Sequence, residues 1–247
     1  ILTVVGGGNG AHATVAIAGA NGYSVRVWTP IKEEAEAWQR QDTTHGYIQA
    51  IAEGWTKRGR PDAVSADPAE VVPGSDLIFF VLPAFAHKEL LERIRPYVRP
   101  QTMVGAMPSR SGFEFLARSI LGNKVTIFGV QTMPWACRIQ EYGQSVSIMG
   151  VKQQVKIAAA PHIAAKDVCA VLSGALDIEA IPAANMLEMS LGNVGQIIHP
   201  GIMYGLFGKW DGSPQSSEAP LFYQGLDMET AHLLEKISQD VLAVKNA

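Results

Sequence analysis

The stretch ILTVVGGGNGAH constrains the fold of this chain more than any other. A short apolar, β-branched run leads straight into three glycines, and small residues come after them. Glycine inside regular structure costs about 0.5–1 kcal/mol relative to alanine, so such a cluster marks a backbone that turns tightly or passes close to something. Ile1–Val5 is too short for a buried helix and reads as a strand, while AHATVAIAGANG reads as a helix closed by Asn21-Gly22. In that setting Gly6-x-Gly8-x-x-Ala11 has the spacing of a dinucleotide-binding turn. Gly6 permits the tight turn, Gly8 lets the main chain approach a diphosphate, and Ala11 lets the helix lie close on the strand. The amides of Asn9, Gly10 and Ala11 then open the helix toward the phosphates with partial positive charge. The plainer alternative is a glycine turn that serves packing alone.

The strand-then-helix pattern repeats along the chain. YSVRVWT reads as a second strand and KEEAEAWQRQ as a charged surface helix begun near Pro30. A short strand, a helical turn and a fully buried strand from Leu77 to Leu82 come next, then helix AHKELLERIRPYV, strand TMVGAM, helix GFEFLARSIL and strand VTIFGV. Strands that are almost wholly apolar and alternate with helices imply a parallel sheet covered on both faces. Around Gly150 two β-like runs, SVSIMG and VKQQVKIAAAP, read as a hairpin or extended pair at the sheet edge. From about Asn185 the pattern turns helical, a loop rich in Gly, Ser and Pro comes after Trp210, and a last helix begins at Met228. The expectation is a doubly wound α/β dinucleotide-binding domain over 1–185, then the start of an all-helical domain over 186–247.

Bulk properties narrow the class. With 247 residues, 47% of them hydrophobic, the chain can bury a sizeable core. A net charge of −3 gives no basic surface for nucleic acid or an anionic membrane, and no apolar run nears the roughly 20 residues of a spanning helix. Two cysteines make neither a disulfide framework nor a zinc site, which suits a reducing, cytoplasmic setting. The chain opens directly on a strand without Met and stops inside a helical pattern, so both ends read as trimmed.

Individual residues divide into sharper and plainer readings. An NAD site ordinarily carries an acidic residue at the end of the second strand, for the ribose hydroxyls. Here Trp28, Thr29 and Pro30 occupy that place, with Thr29 as a weaker hydroxyl partner and Lys32 as a possible contact for a 2′-phosphate, so NAD and NADP both stay open. Pro83 and Ala84 lie at the carboxyl edge of a sheet strand, where a chain can cross beneath a cofactor or simply end a strand. His87 reads as a surface helix residue, and His12 as packing near the glycine loop, without the partners a metal would need. Asp211 reads as a turn residue, and Trp135 and Trp210 as large anchors.

GGGNGAH, PAFAH, PSRSGFEF, PWACRI, HPGIMYG and WDGSPQSSEAPLFYQGLD together resemble the opine dehydrogenases, nearest the octopine-dehydrogenase type of invertebrates, and nearly from end to end. The resemblance implies a nucleotide-binding domain and a helical domain with the active site in the cleft between them. It implies condensation of pyruvate with the amino group of an amino acid, and reduction of the imine by a nicotinamide cofactor, NAD with NADP not excluded. It places the catalytic histidine at His199; imidazole suits proton exchange at neutral pH. The family's orienting Asp and carboxylate-binding Arg would lie beyond residue 247.

The same resemblance assigns Gln131, Thr132 and Cys137 to the substrates, with Arg110 near the pyruvate entrance as a bidentate clamp or a solvated loop residue. Arginine-using relatives carry a carboxylate where Gln131 stands, because a buried guanidinium needs a charged partner. Gln131 therefore implies a small uncharged donor such as alanine, glycine, β-alanine or taurine rather than arginine. Cys137 reads as a packing residue and not a nucleophile. The expected partners are these small molecules, with the protein a monomer or small homo-oligomer. The rivals are a 6-phosphogluconate- or glycerol-phosphate-type dehydrogenase, for which LGNVGQIIHPG lacks the catalytic lysine, and a dinucleotide sensor without turnover.

Overall fold

The computed structural model describes residues 1–246 apart from 110–111, 193 and 214–220, with the side chains of 41–45, 196 and 246 also outside the description. The chain divides into two compact units, Ile1–Ser190 and Leu191–Ala247. In chain order the first unit holds β1 (Leu2–Val5), α1 (Asn9–Ala20), β2 (Val25–Trp28), α2 (Lys32–His45), β3 (Ile48–Ala52), β4 (Trp55–Gly59), β5 (Ala63–Ser65), α3 (Pro68–Val71), β6 (Leu77–Phe80), α4 (His87–Ile94) and β7 (Met103–Ala106). It continues with α5 (Phe113–Leu121), β8 (Thr126–Val130), β9 (Trp135–Glu141), β10 (Ser145–Val151), β11 (Gln154–Ala160), α6 (Ala165–Leu176), β12 (Glu179–Pro182) and α7 (Met186–Leu191). None of the described helices is long and apolar enough to cross a membrane.

An eight-stranded sheet in the order β12-β11-β8-β7-β6-β1-β2-β5 forms the frame. The six strands from β8 to β5 run parallel, with Leu2 opposite both Val25 and Leu77 and Val5 opposite both Trp28 and Phe80. Strand alternation sends Leu2, Val4, Val27 and Phe79 into the cluster that holds α1 and α6. Val5, Trp28, Ile78 and Phe80 go to the opposite face with Leu90, Leu91, Phe113 and Ala117 of α4 and α5. Each such fully buried large side chain contributes about 1.5–3 kcal/mol. This is a doubly wound α/β sheet.

A second sheet departs from expectation. The runs on either side of Gly150 do not pair: β10 joins β9 and β3 in a second sheet of order β4-β3-β10-β9, while β11 enters the main sheet antiparallel to β8. Gly150 stays inside β10, opposite Ala136, so it makes no turn. The second sheet covers the side of α1 that faces away from the main sheet. That explains the small residues of α1, whose Ala11, Ala13, Val15, Ala16 and Ala18 are all fully buried. The helix needs apolar residues all round, and small ones, because β4 lies so close that a side chain on Gly59 would meet the Ala16 carbonyl.

His87 is the other correction. It is buried rather than on the surface, its ring set edge-on to Phe80 and Phe113 at centroid distances of 5.8 and 5.1 Å, with Nε2 lacking a partner. Burial holds its pKa below the ordinary value, against a hydrogen bond with the Leu82 carbonyl. The expected strand from Leu77 to Leu82 ends at Phe80, though burial continues through Val81.

The second unit contains α8 (Gly195–Phe207) and α9 (Met228–Asn246), which pack on each other. Gly201 and Gly205, one turn apart on α8, allow the approach, facing Leu234 and Thr230 respectively. Asp227 caps α9 by accepting from the Thr230 amide at 2.8 Å.

Candidate functional site

A cavity of about 560 Å³ opens in the first unit at the carboxyl ends of the parallel strands. One wall is Gly8, Asn9 and Gly10, between β1 and α1; a second is Leu82, Pro83 and Ala84, after β6; a third is Met107 and Pro108, after β7. Met133, Trp135, Cys137 and Arg138, leading into and along β9, complete it. Open α/β sheets bind ligands at this edge.

The glycine loop has the shape the sequence implies. Gly6 takes φ +126°, and a Cβ there would stand 2.7 Å from the Val81 carbonyl, so β1 and β6 come together only around glycine. A Cβ on Gly8 would meet no protein atom within 4 Å, which leaves its main chain open to an incoming group. α1 begins without a side-chain cap and without an acidic residue in its first turn. Its first amides therefore lack intrahelical partners and favour an anion. Ala11 is fully buried in the core cluster, as close packing of helix on strand requires. This open, uncapped and glycine-lined cradle fits the diphosphate of a dinucleotide.

The loop is braced from the second sheet. Asn9 Oδ1 accepts from the Ile139 amide at 2.8 Å. His12, fully buried, receives the Gly143 amide on Nε2 at 2.8 Å, so Nε2 carries no proton and Nδ1–H donates to the Gly8 carbonyl at 3.0 Å. Burial lowers the His12 pKa to about 4, which keeps this neutral tautomer in place. Its ring also packs on Trp38 and Tyr142, at centroid distances of 4.2 and 4.9 Å. Packing near the loop was legible from the sequence; the bridge to a second sheet was not, because nothing local to His12 announces Gly143.

The remaining predicted residues scatter. Thr29 is fully buried at the end of β2, and its hydroxyl donates to Glu34 Oε2 at 2.5 Å. Lys32 is exposed and reaches Glu36 at 3.8 Å. Gln131 and Thr132 lie between β8 and β9, half-buried, while the neighbouring Met133 is the one that walls the cavity. Cys137 is buried in the wall, and burial raises its thiol pKa, so it stays protonated at neutral pH and packs. Trp135 is buried there too, whereas Trp210 is 56% exposed. Asp211 accepts from the Ser213 amide in a tight turn. Arg110 lies outside the described residues. Sequence reasoning overlooked Arg138, an exposed cation in the cavity wall next to the uncapped helix start, although it directly adjoins Cys137.

In the second unit His199 is exposed on α8, and its Nε2 lies 3.0 Å from the Tyr223 hydroxyl. The Phe222 ring stands at 5.7 Å. Among the described residues no group of three or more His, Cys, Asp or Glu could hold a metal ion.

Comparison with known proteins shows what the chain is similar to. Residues 182–247 match the α-helical domain of the NAD/NADP octopine/nopaline dehydrogenases. The chain is 36% identical to the octopine dehydrogenase of Mizuhopecten yessoensis over all of its length and 64% of the relative. It is 33% identical to the tauropine dehydrogenase of Arabella iricolor over 99% of its length and 64% of the relative. Among solved structures, octopine dehydrogenase with NADH and L-arginine superposes with a TM-score of 0.85 at 34% identity, covering 99% of this chain and 63% of that one. The chain thus spans a little under two thirds of these relatives. Over its whole length the chain is similar to octopine and tauropine dehydrogenases, and residues 182–247 match the helical domain of that family.

Proposed function

We propose that the protein is an opine dehydrogenase: it condenses pyruvate with an amino acid and, with NADH, reduces the product to an N-(1-carboxyethyl) amino acid. The observation that carries this reading is the glycine-lined cavity, whose uncapped helix start and open Gly8 suit a dinucleotide, in a chain similar over its whole length to octopine and tauropine dehydrogenases. The bound cofactor supplies the hydride. The chain's own residues do the rest. The loop from Gly6 to Ala11 holds the diphosphate against main-chain amides, and Pro83 and Ala84 form the floor beneath the nicotinamide half. Holding both substrates over that floor converts an unfavourable condensation into a local step.

His199 accepts the proton that the incoming ammonium group must lose before its nitrogen can attack the carbonyl of pyruvate, and returns one as water departs. The Tyr223 hydroxyl, 3.0 Å away, steadies the imidazole. Gln131, Thr132, Cys137 and Arg110 belong to the substrate side. Gln131 offers a neutral amide where a guanidinium would need a carboxylate, so the donor is small and uncharged: alanine, glycine, β-alanine or taurine. Identities of 36% and 33% to an octopine and a tauropine dehydrogenase do not separate these classes, so the choice of donor rests on Gln131. The free, buried Cys137 and Cys169 accord with a cytoplasmic setting.

The test is NADH oxidation by the full-length enzyme with pyruvate and a panel of arginine, alanine, glycine, β-alanine and taurine. Fastest turnover with a small donor supports the proposal. Fastest turnover with arginine removes the specificity argument, and no turnover with any donor removes the activity.

A further inference from the structure

The second strand ends on Trp28, without the acidic residue that a dinucleotide fold ordinarily places there for the adenosine ribose. The fold nevertheless brings a carboxylate to that spot. Glu34, in the first turn of α2, folds back over the end of β2, where its Oε2 accepts from the Thr29 hydroxyl at 2.5 Å. It also reaches the glycine loop: a Cβ on Gly7 would collide with Glu34 Oε2 and stand 2.7 Å from the Tyr142 hydroxyl. Gly7, the variable place between the two fingerprint glycines, is therefore glycine because a carboxylate lies against it.

Tyr142 fixes that carboxylate. Its hydroxyl accepts from Trp38 Nε1 at 3.1 Å and shares a hydrogen bond with Glu34, and burial, ahead of Glu34's charge, pushes its pKa up to about 12. A protonated phenol that accepts from Trp38 has its own proton to give to Glu34. The carboxylate thus receives two hydrogen bonds, from Thr29 and Tyr142, out of about four that its lone pairs can take. Two acceptor directions remain, the number a ribose 2′,3′-diol would use.

We infer that Glu34, held by Thr29 and Tyr142, is the acceptor for the adenosine ribose diol and the residue that makes the enzyme prefer NADH to NADPH. This rests on the proposed cofactor reading and deepens it. A carboxylate rewards two hydroxyls and repels a 2′-phosphate dianion at the same place. The acid stands on the helix after β2 rather than on the strand end, and Thr29 becomes its positioning partner instead of a ribose contact.

The experiment is a fluorescence titration of the full-length enzyme with NADH, NADPH and 2′-deoxy-NADH (lacking the adenosine 2′-hydroxyl), for wild type, Glu34→Gln and Tyr142→Phe. Wild type should bind NADH at least tenfold more tightly than either analogue, because a hydrogen bond to a charged acceptor is worth about 10- to 100-fold. Glu34→Gln should weaken NADH by about that factor while NADPH tightens or stays unchanged. In that variant the penalty for the missing 2′-hydroxyl should shrink to a few-fold. Tyr142→Phe should shift the NADH-to-NADPH ratio in the same direction by less. If Glu34→Gln weakens all three nucleotides equally, or none, the assignment of Glu34 is wrong while the cofactor reading stands. If wild type binds none of them, the cofactor reading itself fails and takes Glu34 with it.

Discussion

The two units described for this chain bury their apolar residues to different extents. In the first, Leu2, Val4, Val5, Phe79 and Phe80 are at most 1% exposed, and even the helix that starts the nucleotide loop is closed in by sheet on two sides. In the second, two helices touch along Gly201 and Gly205, yet Met203, Tyr204, Leu242 and Val244 of those same helices are between 48% and 68% exposed. The lesson concerns where function can be read. A unit with a closed core gives its loops a definite shape, so a glycine, a carbonyl and an uncapped helix can be matched to a ligand class. Around His199 the described contacts are the Tyr223 hydroxyl and the Phe222 ring, so the reading of that residue rests on family likeness and on one hydrogen bond.

This contrast can be broken by measurement. Phe79→Ala in the middle of the main sheet should destabilise the protein by about 3–5 kcal/mol, read from chemical unfolding. A loss below about 1 kcal/mol would mean that the first core is less finished than its burial implies. Acidification should act next most strongly, through His12. Its folded pKa of about 4 lies below the ordinary 6.5, so the unfolded chain binds the proton first. The stability it protects is complete above pH 6.5 and is lost as pH falls from 6.5 toward 4, by up to about 3 kcal/mol. His12→Gln should flatten that part of the pH–stability curve, and an unchanged slope would place the acid sensitivity elsewhere. In the second unit, Lys209→Ala removes an ion pair with Glu229 whose side chains are 88% and 77% exposed, so unfolding should move by no more than about 0.5 kcal/mol. A larger loss would show that the helix pair leans on its surface charges.

Much of the fold was legible because the parallel strands are short, apolar and separated by helical stretches. The second sheet was not. β3 and β4 are joined by Glu53-Gly54 with Gly54 at φ +79°, a two-residue turn that a charged, unalternating stretch disguises. β10 pairs with β3 some hundred residues away in sequence, which no local pattern encodes. His87 misled because its neighbours Lys88 and Glu89 are charged and exposed, while the ring itself turns inward between two phenylalanines. At the site the glycine spacing, Pro83 and Cys137 announced the cavity wall. Arg138 and Glu34 stayed hidden, since a lone arginine on a strand and a glutamate in a charged helix look like solvated surface until tertiary structure aims them.

The division of labour between the two units is the central claim, and His199→Ala in the full-length enzyme tests it most directly. Turnover with pyruvate and the best amino donor should fall by about 10²- to 10⁴-fold, while the dissociation constant for NADH, titrated by its fluorescence, stays within about twofold. Turnover close to wild type, or NADH affinity lost together with turnover, would contradict the account.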